Sequence, residues 1–251
     1  MKVLGILGSF KRDGITGQML DQVLANVDPK IAQETIFLND YTIMPKSADL
    51  DVLVSKLKEA DVWILAAPTY WGGISGIMKN FLDCLRQLTL RFDKYGDPHA
   101  LGTFANKHYI LLTNCYTKTL ENVLTGATDA TFQTFDKVMT AMGVIKVGEA
   151  VQTNTFGLKE LASKKKAELK SLGQKVAQIK RKDDLTVKRY IELFFIVAVM
   201  AFITMVLQTG ILKLLGLSLG FWSNYISFVL IFFILLATAL RILTLAKHKR
   251  K

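Results

Sequence analysis

The sequence predicts a doubly wound α/β domain, a five-stranded parallel sheet of order 2-1-3-4-5, followed by a transmembrane helical hairpin. Three observations carry that prediction. Five short apolar runs alternate with amphipathic helical stripes over roughly the first 180 residues, the pattern of repeated βαβ units. Two long runs nearer the C-terminus are apolar on all sides. Charge divides the same way: residues 1–157 carry 15 Lys or Arg against 16 Asp or Glu, whereas residues 158–251 carry 17 against 5. The net charge of +11 thus belongs to a lysine-rich segment and to the flanks of the apolar runs. That pattern favours an anionic membrane surface and no nucleic-acid partner.

The strand runs are Lys2 to Leu7, Glu34 to Leu38, Asp61 to Ala67, His108 to Asn114 and Val144 to Val151. Between them lie helical stripes: Met19, Leu20, Val23, Leu24 and Val27; then Leu50, Leu53, Val54 and Leu57; then Ile77, Phe81, Leu85 and Leu88. A looser fourth joins Leu124, Phe135, Val138, Met139 and Met142. A fifth, Leu158, Leu161, Leu169, Leu172, Val176 and Ile179, is lysine-rich on its other faces. That lysine-rich face fits a solvated outer surface or a lipid contact. In the predicted strand order the first and third strands are neighbours, so the loops after them meet. The connection from Arg91 to Lys107 is long and fits a lid, a subunit contact or a plain surface loop.

Ile191 to Leu212, with only Glu192 and Gln208 strongly polar, and Phe221 to Leu240, longer if Arg241 snorkels, are each long enough to cross about 30 Å of hydrocarbon. The expected domains are therefore 1–180, a basic juxtamembrane linker 181–190, two spans at about 191–212 and 221–243 within 191–246, and a basic tail 247–251. Lys180, Arg181, Lys182, Lys188 and Arg189 precede the first span; Arg241, Lys247, Lys249, Arg250 and Lys251 end the chain, while the turn between the spans has only Lys213. Both termini and the α/β domain are expected on the cytoplasmic side of a cell membrane. No secretory leader opens the sequence. The two lone cysteines, Cys84 and Cys115, agree with a reducing compartment. His99, His108 and His248 lack metal-ligand spacing, and no metal is assigned.

The loop after the first strand reads GSFKRDGITGQML, Gly8 to Leu20. Glycine, serine and cations leading into a helix offer hydroxyls, N–H groups and the positive helix end to one phosphate. Ser and Thr near a helix start serve equally well as ordinary caps. No Lys-Ser or Lys-Thr follows Gly14, which excludes a triphosphate loop, and G-x-G-x-x-G is missing, which excludes the dinucleotide fingerprint. The loop after the third strand narrows the choice. Pro68 ends that strand, and Thr69, Tyr70, Trp71, Gly72 and Gly73 present flat aromatic surface beside backbone bare of side chains. An aromatic pair also fits plain packing or an interface, yet beside a phosphate-type loop it suits a planar ring with a phosphate tail. Flavin mononucleotide (FMN) has that shape.

PTYWGGISGIMKNFLD, Pro68 to Asp83, resembles the P-x-Y-x-G-x-x-(S/T)-x-x-x-K-x-x-(I/L/F)-D stretch of the NADPH-dependent FMN reductase and flavodoxin-like oxidoreductase family. The first loop is similar to that family's G-S-x-R-x-x-G-N-T-x-x-L phosphate loop, and the resemblance extends over about residues 1–180. It implies a flavodoxin-like fold, bound FMN, and NADH or NADPH as co-substrate. It further implies that Ser9, Lys11, Arg12, Gly14, Ile15 and Thr16 hold the phosphate, and that Pro68, Thr69, Tyr70, Trp71, Gly72 and Gly73 line the ring. Asn114, Cys115 and Tyr116 fall where the family has a third flavin-contacting loop. Lys11 stands where arginine is common and Ile15 where asparagine is common, and the resemblance then implies that Ile15 meets the phosphate through its backbone. Cys84 and Cys115 are 31 positions apart, unlike the close cysteine cluster of the family's iron–sulfur members.

Lys79 and Asp83 read best as an i,i+4 surface pair, and no side chain is assigned a catalytic role. Flavin chemistry needs binding and orientation from the protein rather than an acid–base device. The expected activity is a membrane-anchored NAD(P)H oxidoreductase passing electrons through FMN to a small acceptor such as a quinone or free flavin, in a monomer or a homo-oligomer. The competing readings are a membrane-tethered electron carrier without NAD(P)H activity, a scaffold without cofactor, and, last, a phosphate-receiver domain, whose acidic cluster Asp40 and Asp61 do not form.

Overall fold

In chain order the elements are β1 (Lys2–Leu7), α1 (Ile15–Leu24), β2 (Ala32–Phe37), a 3-10 turn (Leu38–Asp40), α2 (Ala48–Glu59), β3 (Val62–Ala66), β4 (Thr69–Tyr70), β5 (Gly73–Ile74), α3 (Gly76–Thr89), β6 (Leu90–Phe92), β7 (Pro98–Ala100), β8 (His108–Asn114), α4 (Thr119–Thr125), α5 (Asp129–Ala141), β9 (Ile145–Gln152), α6 (Ser163–Val176), α7 (Thr186–Leu215) and α8 (Phe221–Lys247). The computed structural model describes residues 1–179, 186–216 and 220–247. It divides into an α/β unit and a two-helix unit.

The α/β unit is built on one parallel sheet in the order β2-β1-β3-β8-β9. β3 is buried along its whole length and β1 and β8 nearly so. That is why these strands read as continuous apolar runs rather than alternating ones: helices cover both faces. On one face Leu53 of α2, Phe81 of α3 and Phe135 of α5 pack with Leu4, Ile6 and Trp63. On the other, Leu20 and Val23 of α1 and Leu169 and Leu172 of α6 pack with Val3, Leu7 and Ile64. Trp63, fully buried, satisfies its indole N–H on the Leu57 carbonyl at 3.2 Å.

Several expected elements are revised. The fourth stripe is two helices, α4 and α5, because Gly126 turns left-handed (φ 68) and ends α4. Leu158 and Leu161 of the fifth stripe precede α6. In α3, Met78, Leu82 and Cys84 join the buried face while Leu88 is exposed. The 91–107 connection contains the antiparallel β6–β7 pair, its turn held by Asp93, whose carboxylate accepts from the Tyr95 and Asp97 N–H groups at 2.8 and 3.0 Å. The linker expected at 181–190 is already helical from Thr186, since α7 starts there. The basic residues expected at 180–182 and 249–251, and the turn 217–219, lie outside the described residues.

In the two-helix unit, apolar stretches Phe194–Leu215 and Phe221–Ala239 run for 22 and 19 residues, with 6% and 0% of each buried. Gln208 of α7 donates to the Asn224 carbonyl and the Ser227 hydroxyl of α8, both at 2.7 Å. Two polar side chains in otherwise apolar helices thus satisfy each other.

Candidate flavin site

Parallel pairing brings the C-terminal ends of β1, β3 and β8 together. The register sets Leu7 beside Ala66 and Ala66 beside Leu112, and the ladder continues as Gly8 N–H to Ala66 O (2.8 Å) and Ala67 N–H to Leu112 O (3.0 Å). The loops that follow these strands are therefore neighbours by construction.

The first loop curls tightly into α1. Ser9, 5% exposed, donates its hydroxyl to the Lys11 carbonyl at 2.5 Å. The Arg12 carbonyl packs on the first turn of the helix so closely that a Cβ at Gly17 would lie 1.8 Å from it. Gly14 is the N-cap and Ile15 the first helical residue; among the described residues no side chain caps this end. Thr16, expected near the helix start as a cap or phosphate ligand, instead donates its hydroxyl to the Asn114 side-chain oxygen at 2.6 Å, tying the first loop to the end of β8. The uncapped first-turn N–H groups are left for an anion. Lys11 is exposed, its Cβ 3.6 Å from where a Cβ at the N-cap Gly14 would lie.

Arg12 pairs with the turn after β2. Its guanidinium donates to Asp40 at 2.5 Å and lies 4.8 Å over the Phe37 ring, in a cleft of about 260 Å³ on the β2 side of the loop.

The corner after β3 is a two-strand hairpin rather than an open loop. β4 pairs with β5, and Trp71 and Gly72 turn between them with φ of 52° and 76°. Two left-handed residues at the tip match the twist of a two-residue hairpin. Glycine adopts that conformation freely; tryptophan does so at a cost. Trp71 is fully exposed, which rules out the plain-packing reading of its ring within this chain. Pro68 and Thr69 are buried beneath the tip, and Gly73 is half-buried. The Thr69 hydroxyl sits between those of Thr113 and Thr131, 2.9 Å from each. Tyr70 stacks against Phe10 of the first loop, centroids 6.0 Å apart at 20°; partial burial raises its phenol pKa.

In the third loop, Asn114 is half-buried, Cys115 buried and Tyr116 exposed. Burial pushes the Cys115 thiol up, leaving it protonated at neutral pH. Lys79 and Asp83 form an exposed i,i+4 pair at 2.6 Å on α3.

Three contributors escape sequence reasoning. Phe10 lies in the first loop, but nothing local says it stacks on Tyr70. Asn39 donates to the Ser9 carbonyl at 2.8 Å and Ser75 to the Gly8 carbonyl at 2.5 Å. Both bridge 30 or more positions of sequence; Ser75 fills the (S/T) place of the motif from Pro68 to Asp83, but that motif does not name its partner.

Residues 1–153 match the family described as NADPH-dependent FMN reductase. The chain belongs to that family. Among curated proteins it is 33% identical over 124 residues to an iron–sulfur flavoprotein of Methanocaldococcus jannaschii, covering 42% of this chain and 64% of the relative. It is 26% identical over 125 residues to an NAD(P)H-dependent FAD/FMN reductase of Geobacillus thermodenitrificans, 45% of this chain and 66% of that one. The chain thus spans less than two thirds of these relatives. Among solved structures it resembles an FMN-dependent NADH-azoreductase of Bacillus anthracis in complex with FMN, with a TM-score of 0.57 at 10% identity over 70% of this chain and 99% of the other. At that identity the likeness speaks for the fold, which is the flavodoxin-like α/β arrangement with a parallel sheet.

Proposed function

We propose that this chain is a membrane-anchored FMN-dependent oxidoreductase that takes electrons from NADH or NADPH and passes them to a small acceptor such as a quinone or free flavin. The observation that carries the reading is the junction of the two loops: Phe10 stacked on Tyr70, in the same loop that carries Lys11 and leads into the uncapped start of α1. One side of that junction suits a phosphate and the other a flat ring. The donor set fits FMN as far as the residues go.

In this reading Lys11 and the N–H groups of Ile15 and Thr16 hold the phosphate, with Ser9 and Gly14 shaping the loop. Tyr70, Trp71, Gly72 and Gly73 wall the ring above Pro68 and Thr69, and Asn114, Cys115 and Tyr116 close the third side. FMN, when bound, supplies the two-electron chemistry. The protein's part is to bind, orient and limit access of water. Two apolar helices, each long enough for a bilayer and almost entirely exposed, support the anchor.

The test is the full chain purified in detergent and mixed with NADH or NADPH in a stopped-flow instrument. The proposal expects flavin absorption that bleaches with at least one of the two. A colourless protein that takes up no added FMN refutes it. Bound flavin that neither nucleotide reduces would instead make the chain an electron carrier.

A further inference from the structure

Asp40 stands in the 3-10 turn after β2, a segment without place in the family's flavin motifs. Yet this turn and the last residue of β2 together grip the phosphate-type loop three times. Asn39 holds the Ser9 carbonyl, Asp40 holds the Arg12 guanidinium, and the Phe37 ring lies under that guanidinium. Of these contacts, one ties down backbone and two tie down the loop's second cation.

Arg12 lies within reach of the other place it belongs. Its carbonyl packs on the first turn of α1, so its backbone adjoins the helix end where an anion would sit. Its side chain is long and about two thirds exposed. An arginine beside a phosphate makes a charge-assisted contact of the strong kind. Here that guanidinium is spent on a carboxylate instead.

We infer that Asp40 sets the affinity of the site for its phosphate-bearing ligand by holding Arg12 away from it. The inference rests on the reading of this loop as the FMN phosphate site. Asp40 and the phosphate compete for one guanidinium, and the phosphate is held by Lys11 and backbone N–H groups while Arg12 stays on Asp40. A cofactor site tuned in this way binds more weakly than its residues permit and exchanges its ligand more readily. Asp40 is thus a positioning residue acting through Arg12.

The test measures FMN and riboflavin affinity by quenching of flavin fluorescence, with the full chain in detergent as wild type, Asp40→Asn, Arg12→Ala and the double variant. Both positions are exposed, and circular dichroism confirms that each variant is folded. Asp40→Asn is expected to tighten FMN by about 3- to 10-fold, in line with loss of an exposed pair and gain of a charged contact. Riboflavin, which lacks the phosphate, should not respond. Arg12→Ala alone should change FMN affinity by less than about 2-fold, and in its background Asp40→Asn should gain nothing.

The inference is overturned if Asp40→Asn leaves FMN affinity unchanged or weakens it. It is likewise overturned if the gain persists without Arg12, which would mark a general charge effect, or if Arg12→Ala alone costs about 10-fold or more, which would mean Arg12 already reaches the phosphate. Failure of wild-type protein to bind FMN at all would instead bring down the reading on which the inference rests.

Discussion

Trp71 offers a direct check on the corner, because its side chain and its backbone make opposite demands. Its φ of 52° is left-handed, a conformation that costs a residue other than glycine about 1–2 kcal/mol. Its side chain is 103% exposed, so truncating it forfeits no buried area within the chain. Trp71→Asn supplies the residue that two-residue hairpins favour before glycine, and should recover about 0.5–1 kcal/mol. For a domain of this size that corresponds to a rise in Tm of about 1–4 °C. The same change removes an aromatic wall worth about 0.5–1.5 kcal/mol against a stacked ring, so FMN should bind about 2- to 13-fold more weakly. The assay pairs thermal unfolding of the flavin-free chain, followed by circular dichroism, with FMN titration. A fall in Tm of several degrees would show that the indole is packed rather than exposed. A rise in Tm with FMN affinity unchanged would refute its role as a wall.

Other perturbations follow from the same geometry. Thr69→Val strands the Thr113 and Thr131 hydroxyls in a buried site and should cost about 1–3 kcal/mol in urea unfolding, whereas Thr69→Ser should recover most of it. Gly17→Ala drives a Cβ into the Arg12 carbonyl, which as backbone cannot simply swing away; the variant should lose about 2–4 kcal/mol and its FMN binding together. Glu34 is held below its ordinary carboxylate value of 4.5, first by its hydrogen bond from Lys2 and then by that from Lys56. The stability it lends is present above that value and is lost as pH falls through the depressed one. Urea midpoints should therefore drop on acidification below about pH 5, and Glu34→Gln should start lower at neutral pH and drop less.

Much of the α/β unit was legible because its signals are local or periodic. Leu50, Leu53, Val54 and Leu57 of α2 are all buried, as their spacing demands, and β1, β3 and β8 carry the unbroken apolar runs of doubly covered strands. Legibility fails where one residue overrides a pattern. The fourth stripe continues in sequence through Gly126, but a left-handed turn there rotates the helix axis and makes two helices of one. The β4–β5 hairpin hides because its tip is Trp-Gly rather than Asn-Gly; the usual signature is missing where the backbone conformation is not. Arg12 shows the other limit, a non-local partner. A cation in a phosphate-type loop reads as a phosphate ligand, and nothing local signals its pair with Asp40, 28 positions away.

These non-local ties have one direction in common. Asn39 to Ser9, Ser75 to Gly8, Thr16 to Asn114 and Thr69 to Thr113 each join the loop after one strand to the loop or strand end beside it. Their donors are short side chains, Asn, Ser and Thr, that lose little rotamer freedom on being fixed. The loops are thereby held in position by the chain alone, so a ligand entering between them need not bear the cost of ordering them. Two side chains escape this knitting. Trp71 stands clear at the hairpin tip, and Arg12 is tied only through an exposed pair that water and salt weaken. Binding at this site should accordingly move Trp71 and little else, with Arg12 kept on Asp40 until that carboxylate is removed. A flavin complex in which Trp71 keeps its present position while the backbone of residues 8–16 shifts would contradict that division of labour.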